Sequence, residues 1–233
     1  RRLHRLSLQH RTRRDGLRGE PGGRVRAGRD GGTVDRVVTS EHIAAGVRAR
    51  GLQALAFELL SAPGAHANAG VRSELVHVLA IASGSPGMVG GQALDLEAEL
   101  TATNAALDVA HITRLQAMKT GALIRAACEM GAILGQASED QRTALVRYGE
   151  ALGFAFQISD DLLDAEGSAA DVGKATGKDA EAGKATLVSL LGLPKARAHL
   201  DQIVAAAIAA LEPFGDRGSV LAEAARFMGR RES

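Results

Sequence analysis

The sequence has few aromatic residues, one cysteine and no long apolar run, and each shortage excludes a class of protein. Aromatic residues make up 3% of the 233 residues while 45% are apolar, so Ala, Leu, Val and Ile must fill a core, which favours packed helices. Cys128 is the only cysteine, which excludes an internal disulfide and fits a reducing compartment such as the cytoplasm. No run reaches 18 apolar residues, so we expect no membrane span.

Positive charge is concentrated near the start of the chain. The first 50 residues contain 13 Arg, no Lys and five Asp or Glu, whereas the remainder contains 15 Lys or Arg and 22 Asp or Glu. Residues 1–33 are rich in Arg and Gly and have no apolar period, so we predict a disordered or aberrant segment there and a helical domain over residues 34–233. Arg without Lys is typical of an out-of-frame GC-rich gene, and residue 1 is not Met, so we expect the true start to be missing.

An arginine-rich arm could also bind nucleic acid, because arginine contacts phosphate without needing a fold. Residues 1–33 contain no Phe, Tyr or Trp to stack on bases and no repeated motif. We therefore predict no nucleic-acid partner. The alternative requires steeply salt-dependent RNA binding that is lost when residues 1–33 are deleted.

The most informative stretch of the chain is F-Q-I-S-D-D-L-L-D, at residues 156–164. It lies in a predicted helix over residues 141–165, which Gly167 is expected to end. At helical spacing Gln157, Asp160, Asp161 and Asp164 project from one side, where the carboxylates repel one another. A hard divalent cation such as Mg²⁺, which prefers oxygen ligands and bridges carboxylates to phosphates, would remove that repulsion. The alternative is a solvated acidic helix end.

The apolar pattern predicts further helices. One covers residues 67–83 and carries its apolar stripe at Val71, Leu75, Val78, Leu79 and Ala82. Another starts at Asp108 or Thr113 and runs to Leu134, and we expect Cys128 within it to be a core residue. Three more are predicted over residues 187–193, 196–211 and 219–228.

Two helices before the acidic stretch carry polar residues in apolar surroundings. In G-G-Q-A-L-D-L-E-A-E, the residues Gln92, Asp95 and Glu99 form one polar face of a predicted helix. The alternative is an ordinary solvated face. In the K-T-G motif, Lys119 lies in an apolar stretch, where its ammonium group must meet an anion or reach water. It is therefore a candidate phosphate contact, and the alternative is a lysine that extends to solvent.

A loop rich in Gly and Lys follows the acidic helix, over residues 173–186. Lysines flanked by glycines can turn toward a polyanion, although a flexible surface loop is the alternative. The three lysines of this loop are Lys174, Lys178 and Lys184.

Five motifs in this order resemble the trans-prenyltransferases, the polyprenyl synthetase family, and most closely bacterial farnesyl or geranylgeranyl diphosphate synthases. They are G-L-Q-A-L-A-F, G-G-Q-A-L-D-L, K-T-G, F-Q-I-S-D-D-L-L-D and the Lys-Gly loop, and they extend from Gly51 toward the C-terminus. The resemblance implies an all-α, single-domain bundle of antiparallel helices around a central cleft. It also implies a homodimer.

The resemblance also assigns roles to residues at matching positions. Expected Mg²⁺ ligands are Asp160, Asp161 and Asp164. Expected diphosphate contacts are Lys119, Thr120, Gln157 and Lys174, with Asp179 and Lys184 as weaker matches, and catalysis is expected to depend most on Asp160, Asp161, Lys119 and Lys174. In the family reaction an allylic prenyl diphosphate ionises, the double bond of isopentenyl diphosphate attacks the carbocation, and a proton is lost.

One departure from the family pattern concerns the start of the chain. Family members carry a first aspartate-rich motif well before the segment that matches residues 52–57, whereas the acidic residues here form no adjacent pair: Asp15, Glu20, Asp30 and Asp35. We therefore expect this chain to be impaired as a prenyltransferase. The alternative is a non-catalytic relative that binds diphosphate or a partner subunit.

Overall fold

The computed structural model describes residues 40–100, 109–172 and 186–231, with side chains described at 47–98, 109–166 and 186–231. Within these ranges the regular structure is helical and no strand occurs, which confirms the all-α prediction. No helix in the same ranges combines the length and apolar character needed to cross a membrane.

Helices of varied length follow one another along the described chain. The α-helices are α1 (Ser40–Ser61), α2 (Ala69–Ser83), α3 (Met88–Leu100), α4 (Val109–Gln116), α5 (Ala122–Leu134), α6 (Glu139–Val172), α7 (Leu187–Leu191), α8 (Leu193–Ala209) and α9 (Ser219–Arg230). A π-helical turn, Ala117–Gly121, joins α4 to α5, and a 3₁₀ segment, Glu212–Gly218, precedes α9.

The chain divides into two compact units within α1. The first is Arg1–Ala56, of which the structure describes residues 40–56 as the first part of α1. The second, Phe57–Ser233, contains the other helices named above. The segment boundary predicted after residue 33 lies outside the described residues and stays a prediction.

The stripe predicted on α2 is buried against α5. Leu75, Val78 and Ala82 pack with Ala126 and Ile133 in one core cluster. The 3.6-residue period therefore identified the buried face of α2 correctly.

A second core cluster lies between α6 and the C-terminal helices, where Ile158 and Leu162 of α6 pack with Leu187 of α7 and Leu200 of α8. These α6 residues lie on a face adjacent to the acidic one. Burial of Ile158 and Leu162 therefore fixes the direction in which the aspartates project.

Helix α6 is longer than predicted, because it continues through Gly167 to Val172. One glycine in a helix costs only about 1 kcal/mol, and the sequence after it resumes with residues that tolerate helix. Asp160, Asp161 and Asp164 therefore lie inside the helix, and the prediction that they crowd its end was wrong. Their mutual repulsion remains, but it is not reinforced by the helix terminus.

A third cluster surrounds Tyr148, and it includes Cys128. Tyr148 is 0% exposed and packs with Ala207, Leu211 and Ala225. Cys128 packs against the same cluster, and burial raises the pKa of its thiol. A thiol with a raised pKa is a weak nucleophile, which agrees with the expectation that Cys128 is a core residue.

The buried hydroxyl of Tyr148 is expected to make the free energy of unfolding fall as the pH rises above 10. Burial, with a smaller electrostatic contribution from Cys128, raises the pKa of Tyr148 to about 12, and its hydroxyl donates to the Leu221 carbonyl oxygen at 2.7 Å. An unfolded tyrosine ionises near pH 10, so between about pH 10 and 12 the unfolded state loses its proton first and stability falls by up to about 2–3 kcal/mol. Urea unfolding at pH 8 and pH 11 measures this loss.

The matching variant is Tyr148→Phe. At pH 8 it should lower the free energy of unfolding by about 1–2 kcal/mol, because the Leu221 carbonyl loses its donor. It should also lose stability less steeply than the original chain above pH 10. Parallel pH profiles for the two proteins would contradict this account.

Candidate functional site

Three elements cross with their backbones in contact, and glycine makes each crossing possible. A Cβ atom at Gly91 of α3 would lie 2.3 Å from the Lys119 backbone nitrogen, far inside contact distance. A Cβ atom at Gly153 of α6 would lie 2.8 Å from the Gly121 Cα atom. Helix α3 therefore meets one side of the π-helical turn and α6 meets the other, which brings their polar side chains together.

The K-T-G motif forms the end of this π-helical turn, Ala117–Gly121. The apolar pattern predicted one continuous α-helix here, so the turn was not anticipated. A π turn contains an extra residue within a helix, and such turns are frequent at functional sites. It changes the directions in which Lys119 and Thr120 project from those of an uninterrupted α-helix.

Lys119 forms an ion pair with a buried carboxylate. Its Nζ atom lies 2.5 Å from Oδ2 of Asp95, whose side chain is 5% exposed, whereas that of Lys119 is 34% exposed. The solvated-face alternative is therefore wrong for Asp95, although Gln92 on the same face is exposed. The anion that an apolar stretch demands of Lys119 lies on the neighbouring helix.

A chain of hydrogen bonds leads from the K-T-G motif to the acidic helix. The Thr120 hydroxyl donates to Gln157 Oε1 at 3.3 Å, and Gln157 Nε2 donates to Asp161 Oδ1 at 3.1 Å. On the other carboxylate oxygen, Gln116 Nε2 donates to Asp161 Oδ2 at 3.0 Å. The structure thus brings together three residues singled out from the sequence and adds Gln116, which the motifs did not identify.

Asp161 is the most constrained of the three aspartates. Burial raises the pKa of its carboxyl group, the hydrogen bonds from Gln157 and Gln116 oppose that rise, and the charges of Asp160 and Asp164 add to it. The ionised form of Asp161 is therefore destabilised by burial and by the neighbouring carboxylates. A bound cation would relieve both the burial and the repulsion.

The other two aspartates are more open to solvent. The Asp160 side chain is 47% exposed, and its Oδ1 atom lies 3.5 Å from an Arg231 guanidinium nitrogen. Asp164, one turn further along α6, is also exposed. Both can therefore be reached from outside the helix.

The donor chemistry of the acidic face fits Mg²⁺. Within the described residues no group of three or more Asp, Glu, His or Cys side chains is arranged to hold a metal ion, so the three aspartates do not by themselves form a complete metal site. Open carboxylates suit Mg²⁺, which keeps several waters and accepts substrate oxygens. The Oε1 atom of Gln116, whose Nε2 donates to Asp161, is buried and has no hydrogen-bond partner among these residues.

The remaining predicted site residues lie outside the described part of the chain. Lys174, Asp179 and Lys184 fall in the interval between α6 and α7. Their roles stay predictions.

An apolar cleft of about 480 Å³ adjoins the π-helical turn. Met118 and Gly121 of the turn lie along it, facing Phe154 of α6 and Ile203 of α8, with Arg125 among its few charged residues. It shares the turn with Lys119 and Thr120. A polar site and an apolar cleft thus lie against one segment of backbone.

Residues 29–218 match the polyprenyl synthetase family, and the chain belongs to that family. The match confirms the family predicted from the five motifs. It also begins upstream of Gly51, so the similarity reaches further toward the N-terminus than those motifs do.

Individual relatives are farnesyl diphosphate synthases and similar enzymes. The chain is 45% identical over 148 residues to farnesyl diphosphate synthase from Escherichia coli, covering 63% of this chain and 48% of that protein. Its fold is similar to an FPP/GFPP synthase from Zymomonas mobilis, with TM-score 0.71, 47% identity and coverage of 81% and 62%. A Helicobacter pylori geranyltransferase complexed with magnesium and isoprenyl diphosphate has TM-score 0.63, 27% identity and coverage of 81% and 60%. The chain thus spans about half to three fifths of the length of these relatives.

Proposed function

We propose that this chain supplies the diphosphate-binding half of a short-chain trans-prenyltransferase active site. Farnesyl and geranylgeranyl diphosphate synthases condense an allylic prenyl diphosphate with isopentenyl diphosphate, and these two diphosphates are the proposed substrates of this chain. The proposal is supported by family membership and by enzymes of this activity among the relatives.

One observation carries the proposal. Lys119, fixed by buried Asp95, and Asp161, fixed by two amide side chains, lie on elements that cross at glycine contacts. A cation-binding face and an ammonium group are therefore held on one rigid frame. A metal diphosphate needs both, since its charge must be balanced from two sides.

Each residue has a distinct task in this scheme. Asp160, Asp161 and Asp164 would hold Mg²⁺, which when bound neutralises charge on the diphosphate as it leaves. Lys119 would donate hydrogen bonds to a terminal phosphate oxygen, while the ion pair with Asp95 holds its ammonium group in position. Thr120 and Gln157 would fix the geometry between the two, because their hydrogen bond joins the turn to α6.

The apolar cleft would hold the hydrocarbon chain of the substrate. Met118 and Phe154 offer it apolar contact and exclude water from the reacting carbon, which protects a carbocation from hydrolysis. The structure of the Helicobacter pylori relative is a complex with magnesium and isoprenyl diphosphate, which supports these two ligands for the proposed site.

Diphosphate binding is the direct test. With inorganic pyrophosphate at 100 times its dissociation constant and Mg²⁺ present, stability should rise by about 2.7 kcal/mol, which corresponds to a melting temperature roughly 5–10 °C higher. The shift should vanish with EDTA. A chain whose melting temperature does not respond to magnesium and pyrophosphate together would refute the assignment.

Turnover is a separate question. Condensation of labelled isopentenyl diphosphate with geranyl diphosphate should be weak or absent in this chain, because no paired-aspartate motif precedes Gly51. Ordinary turnover would show that the missing motif matters less than expected. Binding without turnover would favour the non-catalytic alternative.

The cytoplasmic location and the homodimer remain predictions. The first is supported by the lone cysteine and the second by the family. Sedimentation of the purified chain would measure the second.

A further inference from the structure

Arg231, the residue directly after α9, lies against the acidic helix. Its Cζ atom is 5.2 Å from the centroid of the Phe156 ring, and one guanidinium nitrogen is 3.5 Å from Asp160 Oδ1. No sequence motif singled this residue out. It places a positive charge beside one of the proposed metal ligands.

Few hydrogen bonds hold the Arg231 guanidinium group in place. A distance of 3.5 Å between Arg231 and Asp160 is an ion pair but too long for a good hydrogen bond. The other terminal nitrogen of Arg231, Nη1, is buried without a hydrogen-bond partner among the described residues. The ring of Phe156 and the charge of Asp160 therefore retain the group, with few hydrogen bonds to lose when it moves.

We propose that Arg231 is the resident counter-ion of Asp160 and lowers the metal affinity of the site. Its positive charge lies beside the Asp160 carboxylate, which is proposed to bind Mg²⁺. A cation that approaches Asp160 must displace the guanidinium group or bear its repulsion. Arg231 is thus a positioning residue, and the inference rests on the proposed metal role of Asp160.

This arrangement has a direct consequence for metal binding. Two unit charges of the same sign about 4 Å apart repel by roughly 1 kcal/mol in water, so a guanidinium group repels a divalent cation at that distance by about 2 kcal/mol, which is about 30-fold in affinity. Removal of the Arg231 charge should therefore tighten metal binding. If Arg231 served only to attach the C-terminal residues to α6, its removal would leave metal binding unchanged or weaken it.

The test compares Arg231→Gln with Arg230→Gln in the full chain. Arg230 is exposed and adjacent, so its replacement removes the same charge from the same end of α9. The dissociation constant for Mn²⁺, a spectroscopic substitute for Mg²⁺, is measured by electron paramagnetic resonance without diphosphate. We expect about 30-fold tighter binding in Arg231→Gln, a smaller gain in Arg231→Lys, and a change below about two-fold in Arg230→Gln.

A second variant keeps the test decisive if Arg231→Gln does not fold. Phe156→Leu removes the ring under the guanidinium group and should also tighten Mn²⁺ binding. In an Asp160→Asn background, Arg231→Gln should no longer tighten binding, since the two residues act on one another.

The outcomes separate this inference from the proposed function. If the original chain binds Mn²⁺ and Arg231→Gln binds it no more tightly than Arg230→Gln does, the counter-ion role is overturned and the metal site stands. If no protein in the series binds Mn²⁺ with or without pyrophosphate, both proposals fail.

Discussion

Replacement of Asp160 by asparagine is expected to weaken magnesium-dependent pyrophosphate binding by about 100-fold or more, which equals about 2.8 kcal/mol. The change removes one full charge from the metal face while keeping the shape of the side chain. Because Asp160 is 47% exposed and its paired nitrogen on Arg231 lies 3.5 Å away, the free energy of unfolding should change little. Isothermal titration calorimetry with pyrophosphate and Mg²⁺, beside a urea unfolding curve, measures both quantities.

The matched control is Glu166→Gln. Glu166 lies on the same helix and is exposed, but it pairs with Arg197 of α8, away from the acidic face. Loss of a negative charge there should leave pyrophosphate affinity within about two-fold of the original, because Glu166 is exposed and its carboxylate is directed to Arg197 and not to the proposed metal ion. Equal losses in the two variants would mean that net charge, and not a metal site, governs binding.

A Gly91→Ala substitution should destabilise the chain by about 3 kcal/mol, near the upper end for an overpacked core position. The added Cβ atom would lie 2.3 Å from a backbone nitrogen, so no side-chain rotation can relieve the overlap. Helix α3 must therefore move away from the π-helical turn. Since α3 carries Asp95, the ion pair with Lys119 should be disturbed and pyrophosphate affinity should fall as well.

Gly131→Ala provides the comparison. Gly131 lies in α5, and a Cβ atom added there meets nothing within 4 Å. The same chemical change should raise stability by up to about 1 kcal/mol, because alanine favours helix over glycine. Urea midpoints of the two variants should therefore move in opposite directions, and a shift in the same direction would show that the crossing at Gly91 is not close-packed.

Apolar periodicity predicted the helices well where burial alone decides the structure. The buried face of α2 follows directly from Leu75, Val78 and Ala82. Breaks in helices were harder to predict. Gly167 does not end α6, whereas Gly192, with φ of +78°, separates α7 from α8 where helices over 187–193 and 196–211 were expected. Gly167 and Gly192 differ in backbone conformation, which the residue type alone does not predict.

The site was predicted in its parts but not in its connections. The apolar neighbours of Lys119 showed that its ammonium group needs an anion. Its partner Asp95 lies in another helix, and the sequence pattern did not distinguish Asp95 from other acidic residues as that anion. Gln116 carries no motif, and only its contact with Asp161 shows its part in the site. Local patterns name candidate groups, whereas tertiary packing decides which of them meet.

The glycine crossings also limit how such a chain could be re-engineered. Where backbone touches backbone, no side chain lies between the elements that could be enlarged or trimmed to change their separation. The backbone contacts at Gly91 and Gly153 therefore set the distance between the elements that carry the Lys119 ammonium group and the α6 carboxylates. If the cleft holds a hydrocarbon chain as proposed, changes that admit a bulkier one would have to be made in its walls, at Met118 or Phe154, and would leave the geometry of the polar site unchanged.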